Sequence, residues 1–517
     1  MKALSLKLSH PLKPSLARRL RQLLVLLVAG TTVTFVNAQT PEPRPLEDVD
    51  SLMPPLTNPS DGVRVIPQAQ AAAAKTLPHG GEAEPSIPTE FSAYREKDAQ
   101  LTLEAIRQTG GVVEPAEFAR MRHFLDNRYN GVTVVKTLRA GARTFDCIPL
   151  YQQPALRDGS VVAIPPGDKD DKTSGRSGES SSEASCSEGT VPLERISIAD
   201  MARYPTLRSF LGENHDRPAV SRSDEILQPS SSTQSASASS GFSTQPHFWQ
   251  NLRTVPTAIT GNGATLNVWN PTTNDFTLEQ TWLYGYDSSN AVQSVEVGWQ
   301  KFNGGMPYLF AGSFVGGNYT AAQYSADFVQ VSTKTFPGTS FTASQISAAG
   351  GTQKTLWVEW QWNAAGSAWW LWVNDSWIGY FKGSRFGSGP LSIAAMSAQM
   401  ASGSDNGALH FDVGGEIQNP ATGTPSVPMG SGQFASAGYR QAAFAADIYY
   451  YDSNIVQQYT DLTKATIVVD NPSCYTMALA GVEPSQFPSP LPKGASTTGL
   501  NPQMNRNGIY FGGPGCS

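Results

Sequence analysis

From His247 to Ser517, apolar and polar residues alternate in short runs broken by Gly, Asn and Pro. A period of two puts successive side chains on opposite faces of an extended strand, so this half of the chain is restricted to β-structure. Thr265-Leu266-Asn267-Val268-Trp269 is one such run, and Leu356-Trp357-Val358-Glu359-Trp360-Gln361-Trp362 is another. Trp369 to Val373, the turn residues Asn374-Asp375-Ser376 and Trp377 to Phe381 read as a hairpin. Many short strands at regular spacing predict an all-β antiparallel sandwich or barrel. Its expected extent is 247–517.

The preceding region is different. Charged residues are denser there, and helix-like stretches at Phe91 to Arg107 and Pro115 to Arg128 accompany short strand-like pieces such as Val132 to Val135. A mixed α/β region over 39–246 is expected. Two low-complexity linkers interrupt it, Pro165 to Ser185 and the Ser-rich Gln228 to Gln245. Such segments bury no core and are open to proteases. The first 38 residues read as a signal peptide: Lys and Arg residues precede the apolar run Leu23 to Val28, and Val36-Asn37-Ala38 supplies a small residue at the cleavage point. No later stretch looks membrane-spanning, so a secreted or periplasmic location follows as an expectation.

The chain has 517 residues and a formal net charge of -6, which gives no electrostatic footprint for nucleic acid. Its four cysteines, Cys147, Cys186, Cys474 and Cys516, form no zinc-binding spacing. An even number in an exported protein favours two disulfides. Three pairings are possible, and sequence neighbours are favoured: Cys147 with Cys186, and Cys474 with Cys516.

The chemistry-bearing candidates are few. After His247 the glutamates are Glu279, Glu296, Glu359, Glu416 and Glu483. In Ser294-Val295-Glu296-Val297-Gly298-Trp299-Gln300, alternation opposes Glu296 to Val295, Val297 and Trp299. In Leu409 to Gln418, it opposes Glu416 to Leu409, Phe411, Val413 and Ile417. If the two strands share a sheet, both carboxyls stand on its non-core side, with Gly298, Gly414 and Gly415 clearing space beside them. Paired carboxyls facing one cleft suit acid/base hydrolysis. Glu279 and Glu483 adjoin turn-like sequence and read as solvated, whereas Glu359 among tryptophans is a rival. Asp412 reads as an orienting or ion-binding group, or as a solvated strand residue. His247 and His410 are the only histidines here, and no Gly-x-Ser-x-Gly elbow accompanies them. Ser431 therefore reads as a turn residue. Neither a metal-binding histidine pair nor a phosphate loop is present, so no metal and no cofactor is expected.

Taken in order, these segments resemble the neprosin-type glutamic peptidases. Phe145-Asp146-Cys147-Ile148, Gln153-Pro154-Ala155 and Cys186 to Pro192 are similar to blocks of that family's activation region. Asn267 to Pro271, Glu296 to Gln300, Asp327 to Gln330, Ile378-Gly379-Tyr380, Gly414 to Ile417, Met429 to Phe434 and Phe511 to Cys516 are similar to blocks of its peptidase region. The likeness is to a secreted member of bacterial type. It departs from the plant members at Gly316 to Tyr324, which holds no cysteine, and at Ala435-Ser436-Ala437, where acidic residues are usual.

The resemblance implies a β-sandwich with catalytic Glu296 and Glu416, metal-free hydrolysis of peptide bonds at acidic pH, cleavage after proline, and an activation region removed on maturation. Gln300 is the candidate for holding the water or the oxyanion. Expected partners are protein or peptide substrates and the chain's own propeptide as inhibitor, with no nucleic acid and no membrane once the signal is removed. Two other functions fit a tryptophan-lined groove with two carboxyls: a glycoside hydrolase using the same pair, and a non-catalytic carbohydrate-binding β-sandwich.

Overall fold

The computed structural model describes residues 87–516 apart from 112, 142, 168–184, 213–246, 254–257, 303–304, 317, 404–408, 419–423, 463 and 480–506. The signal segment, most of both linkers and Glu483 lie outside the described residues.

The first described region is mixed α/β. Its helices are α1 (Ile87–Gln100), α2 (Leu103–Gln108) and α3 (Pro115–Tyr129), followed by the strands β1 (Lys136–Ala140), β2 (Arg143–Pro149) and β3 (Thr190–Glu194). Two short helices close it, α4 (Ile198–Met201) and α5 (Leu207–Leu211). The helix expected over Phe91 to Arg107 is divided at Thr102, whose hydroxyl accepts the Ala105 N–H and so caps a new helix. Val132 to Val135 is not a strand; pairing begins at Lys136, opposite Cys147.

Then come β4 (His247–Arg253), β5 (Gly261–Asn267), β6 (Thr277–Tyr286), β7 (Val292–Lys301), β8 (Tyr308–Val315), β9 (Asn318–Ala321) and β10 (Phe328–Gln330). They are followed by β11 (Thr355–Asn363), β12 (Ala368–Val373), β13 (Ser376–Lys382), helix α6 (Ile393–Ser402), β14 (His410–Gln418) and β15 (Ala443–Tyr451). The last strands are β16 (Gln457–Tyr459), β17 (Thr466–Val469), β18 (Thr476–Leu479) and β19 (Gly508–Gly512). β12 and β13 form the expected hairpin, with Asn374 turning at positive φ.

Two antiparallel sheets result. One runs β17-β4-β14-β6-β7-β8-β9, and the other runs β10-β13-β12-β11-β5-β15-β19-β18 with β16 on β15. One core lies between them. Leu252, Leu283, Val297, Trp299 and Val413 come from the first sheet, and Leu266, Trp360, Trp369, Leu371 and Phe511 from the second. Burying a side chain of this size contributes about 1.5–3 kcal/mol, so the tryptophans are chiefly structural. The fold is the antiparallel β-sandwich that the alternation predicts.

The first region lies along sheet edges. Its cluster of Met121, Leu125, Ile198 and Phe210 continues into Phe314, Tyr319 and Tyr324. Gln153 exchanges hydrogen bonds with the Gln330 backbone, at 3.1 and 2.8 Å. Both disulfides have the expected pairing, Cys147–Cys186 and Cys474–Cys516.

Candidate active site

Register places the two glutamates. Glu416 on β14 stands opposite Leu278 on β6, and Leu278 opposite Gln300 on β7. Glu296 on β7 stands opposite Trp282 on β6, and Trp282 opposite Asp412 on β14. Residues directly opposite share a face. Glu296, Glu416 and Gln300 therefore lie on one face of the seven-stranded sheet, while Val295, Val297, Phe411, Val413 and Ile417 fill the core behind them.

The glutamates are diagonal across β6. They are two strands apart, about 10 Å, and four residues apart along the strands, about 13 Å in a flat sheet. Between them runs the row Gly414, Gln280, Gly298. A Cβ on Gly414 would lie 1.8 Å from Gln250 O, and one on Gly298 1.9 Å from Glu279 O. Only glycine permits this approach of neighbouring backbones, so Gln280 is the one side chain of the three in that row.

Each carboxyl is buried, Glu296 at 0% exposure and Glu416 at 1%, and each has its own partners. His247 Nδ1 lies 2.5 Å from Glu416 Oε1, and Gln280 Nε2 donates to Glu416 Oε2 at 3.4 Å. Ser294 Oγ donates to Glu296 Oε1 at 2.7 Å. His247 stacks on Trp249, with ring centroids 5.8 Å apart. Its Nε2 and the Gln280 Oε1 are buried and have no other partner. Burial pushes the Asp470 carboxyl above its ordinary range; the Trp249 N–H opposes this and the charge of Glu416 adds to it. Gln300 donates to the Tyr308 hydroxyl and occupies the row of Glu416, not that of Glu296.

Two expectations of solvated carboxyls need correction. Glu279 is not solvated: it points into the core, accepting the Asn267 N–H and Trp299 Nε1–H at 3.1 Å each. Burial pushes its carboxyl well above the usual range. Asp412 is not solvated either; it is fully buried and pairs with Arg253 at 3.3 Å. Glu359, the rival, belongs to the other sheet, where the Tyr449 and Tyr451 hydroxyls donate to it at 2.6 and 3.2 Å. Ser431 is a turn residue, accepting the Gln433 N–H.

An antiparallel sandwich with three buried carboxyls on one sheet face, Glu296, Glu416 and the Arg253-paired Asp412, defines the class of site. Residues 273–514, a little under half of the chain, match the Neprosin family model. That span holds Glu296, Glu416 and Gln280, but His247 precedes it. Among solved structures, the chain is similar to Scytalido-glutamic peptidase with a peptide-based transition state analog, at 8% identity. The overlay covers 52% of this chain and 100% of that one, with a TM-score of 0.26. It is also similar to SCP-B, a member of the Eqolisin family of peptidases, in complex with the tripeptide Ala-Ile-His. There the identity is 8%, the coverage 52% and 98%, and the TM-score 0.25.

Proposed function

We propose that this protein is an exported glutamic endopeptidase, made as a zymogen and acting at acidic pH through Glu296 and Glu416, with cleavage after proline among its activities. The observation that carries this reading is the shared sheet face: two buried carboxyls flank a glycine-lined row that holds only Gln280. Their diagonal placement across β6 leaves room for a substrate between them rather than a direct carboxyl–carboxyl bond.

Their partners divide the roles. Gln280 directs a hydrogen-bond donor at Glu416, and His247 does so in the tautomer that carries its proton on Nδ1; donors there favour negative charge and make Glu416 the base. Glu416 takes a proton from water as the water oxygen attacks the carbonyl carbon. Protonated Glu296 gives its proton to the carbonyl oxygen. The tetrahedral species then collapses: one hydroxyl returns its proton to Glu296 as the C=O bond re-forms, the C–N bond breaks, and the proton held by Glu416 passes to the leaving amine. Gln280, placed between them, supports the carbonyl oxygen as it becomes a hydroxyl; Gln300, which binds Tyr308, is assigned to supporting that side of the face.

On this reading His247 is a positioning residue. His247→Ala is expected to lower kcat about 10- to 100-fold and to move the acidic limb of the pH–rate profile, with a smaller change in KM. An unaltered profile with only a lower melting temperature would reduce His247 to a structural role.

Residues 39–246 serve as the propeptide. The contacts of the first region with β9 and with Gln330 support this, and the Ser-rich linker offers the cut. Because His247 is part of the site, the mature N-terminus falls within 213–247. Secreted protein is expected to show that N-terminus and to degrade casein at acidic pH while leaving polysaccharides intact. Polysaccharide cleavage without casein cleavage would replace the peptidase by a glycosidase, and neither activity would leave the binding module.

A further inference from the structure

Arg128, near the end of α3, is a cation in an unusual position. Its residue is 2% exposed. Nη2 donates to Glu194 O on β3 and to Gln323 O beside β9, each at 3.0 Å. Both acceptors are neutral carbonyls. Nε is buried with no acceptor, and among the described residues no carboxylate pairs with this guanidinium. An uncompensated buried charge is strongly unfavourable, because desolvation removes far more than a carbonyl returns.

The surroundings add positive charge. Arg157 directs Nη1 and Nη2 at the Asn127 and Arg128 carbonyls and has no carboxylate partner among the described residues. Glu194, the nearby carboxylate, pairs with Arg143 at 3.1 Å. Arg128 also lines a cavity of about 30 Å³, together with Glu194, Ser325, Phe145, Phe328 and Phe336. That is enough room for a guest the size of a water molecule or somewhat larger. A water would satisfy Nε–H but would leave the charge unmatched.

We propose that this cavity is a binding site for a small monovalent inorganic anion of the halide class, held by Arg128 between the first region and the sandwich. A halide fits that space, can accept from the unpartnered Nε–H and neutralises the guanidinium. The site is independent of the peptidase reading.

The test uses the full-length chain in sodium chloride or sodium bromide against sodium gluconate at equal ionic strength. The melting temperature is expected to rise by about 2–4 °C at saturating halide and to stay level in gluconate. Arg128→Met is expected to abolish the difference. Crystals grown in bromide are expected to show an anomalous peak within hydrogen-bonding distance of Arg128, which serves as the test if the variant does not fold. Equal melting in the two salts, halide dependence that survives Arg128→Met, or a cavity without bromide would each overturn the proposal.

Discussion

Glu416→Gln and Glu296→Gln are each expected to lower kcat on an acid-denatured protein by at least about a thousandfold, because under the proposed mechanism each removes a proton-transfer group while preserving shape. The pairwise pattern is as informative as the loss. If one carboxyl takes the proton from water and the other supplies one to the carbonyl oxygen, neither alone retains the mechanism. The double variant is then expected to be little worse than either single one. Full additivity would mean that the two residues act separately. Near-normal turnover by one variant would remove that glutamate from the chemistry. Since Gln keeps a hydrogen-bonding end, Glu416→Gln still engages His247, and its melting temperature is expected to stay close to that of the parent. Activity and stability are thereby separated.

The diagonal placement of these residues explains how much the sequence could reveal. Alternation in Ser294 to Gln300 and in Leu409 to Gln418 is clean, with one apolar and one polar face. The orientation of Glu296 and Glu416 is therefore legible from local pattern alone. Strand β6 is not clean. Leu278, Gln280, Trp282 and Tyr284 lie on the site face, while Glu279, Thr281 and Leu283 lie on the core face. Both sets mix polar and apolar residues, so neither face announces itself, and Glu279 next to turn residues reads as exposed. Only register with Trp299 and Gly415 places it in the core. Gln280 is hidden for the same reason. His247 is hidden for another: its partner lies 169 positions away, and that contact depends on the pairing of β4 with β14. The tryptophan pattern did predict a buried sandwich, but it could not tell which sheet would carry Glu359. Disulfide pairing was legible because each cysteine has a near neighbour in the chain.

Between about pH 4 and 7 the folded protein is expected to lose roughly 4 kcal/mol of stability through Asp447 alone. Asp447 interrupts β15 at a bulge, with φ 52°. It is buried at 6% exposure and accepts a hydrogen bond from the Thr265 hydroxyl at 3.3 Å. Burial pushes its carboxyl from 3.8 up to about 7, with the Thr265 hydrogen bond opposing the rise. In this window the folded state holds a proton that the unfolded chain has released, so stability falls as pH rises and levels off above the folded value. Buried Glu279, also raised well above its ordinary range, acts in the same direction. Asp447→Asn tests the point without disturbing the backbone, because Asn also tolerates positive φ and can keep the Thr265 bond. Chemical denaturation at steps from pH 4 to 8 is expected to show parent and variant close together at pH 4 and the variant more stable by about 4 kcal/mol at pH 8. Parallel curves would show that Asp447 ionises as freely when folded as when unfolded. A sandwich whose interior raises two carboxyls by burial is best held together in acid, the condition in which the proposed peptidase chemistry is expected to run.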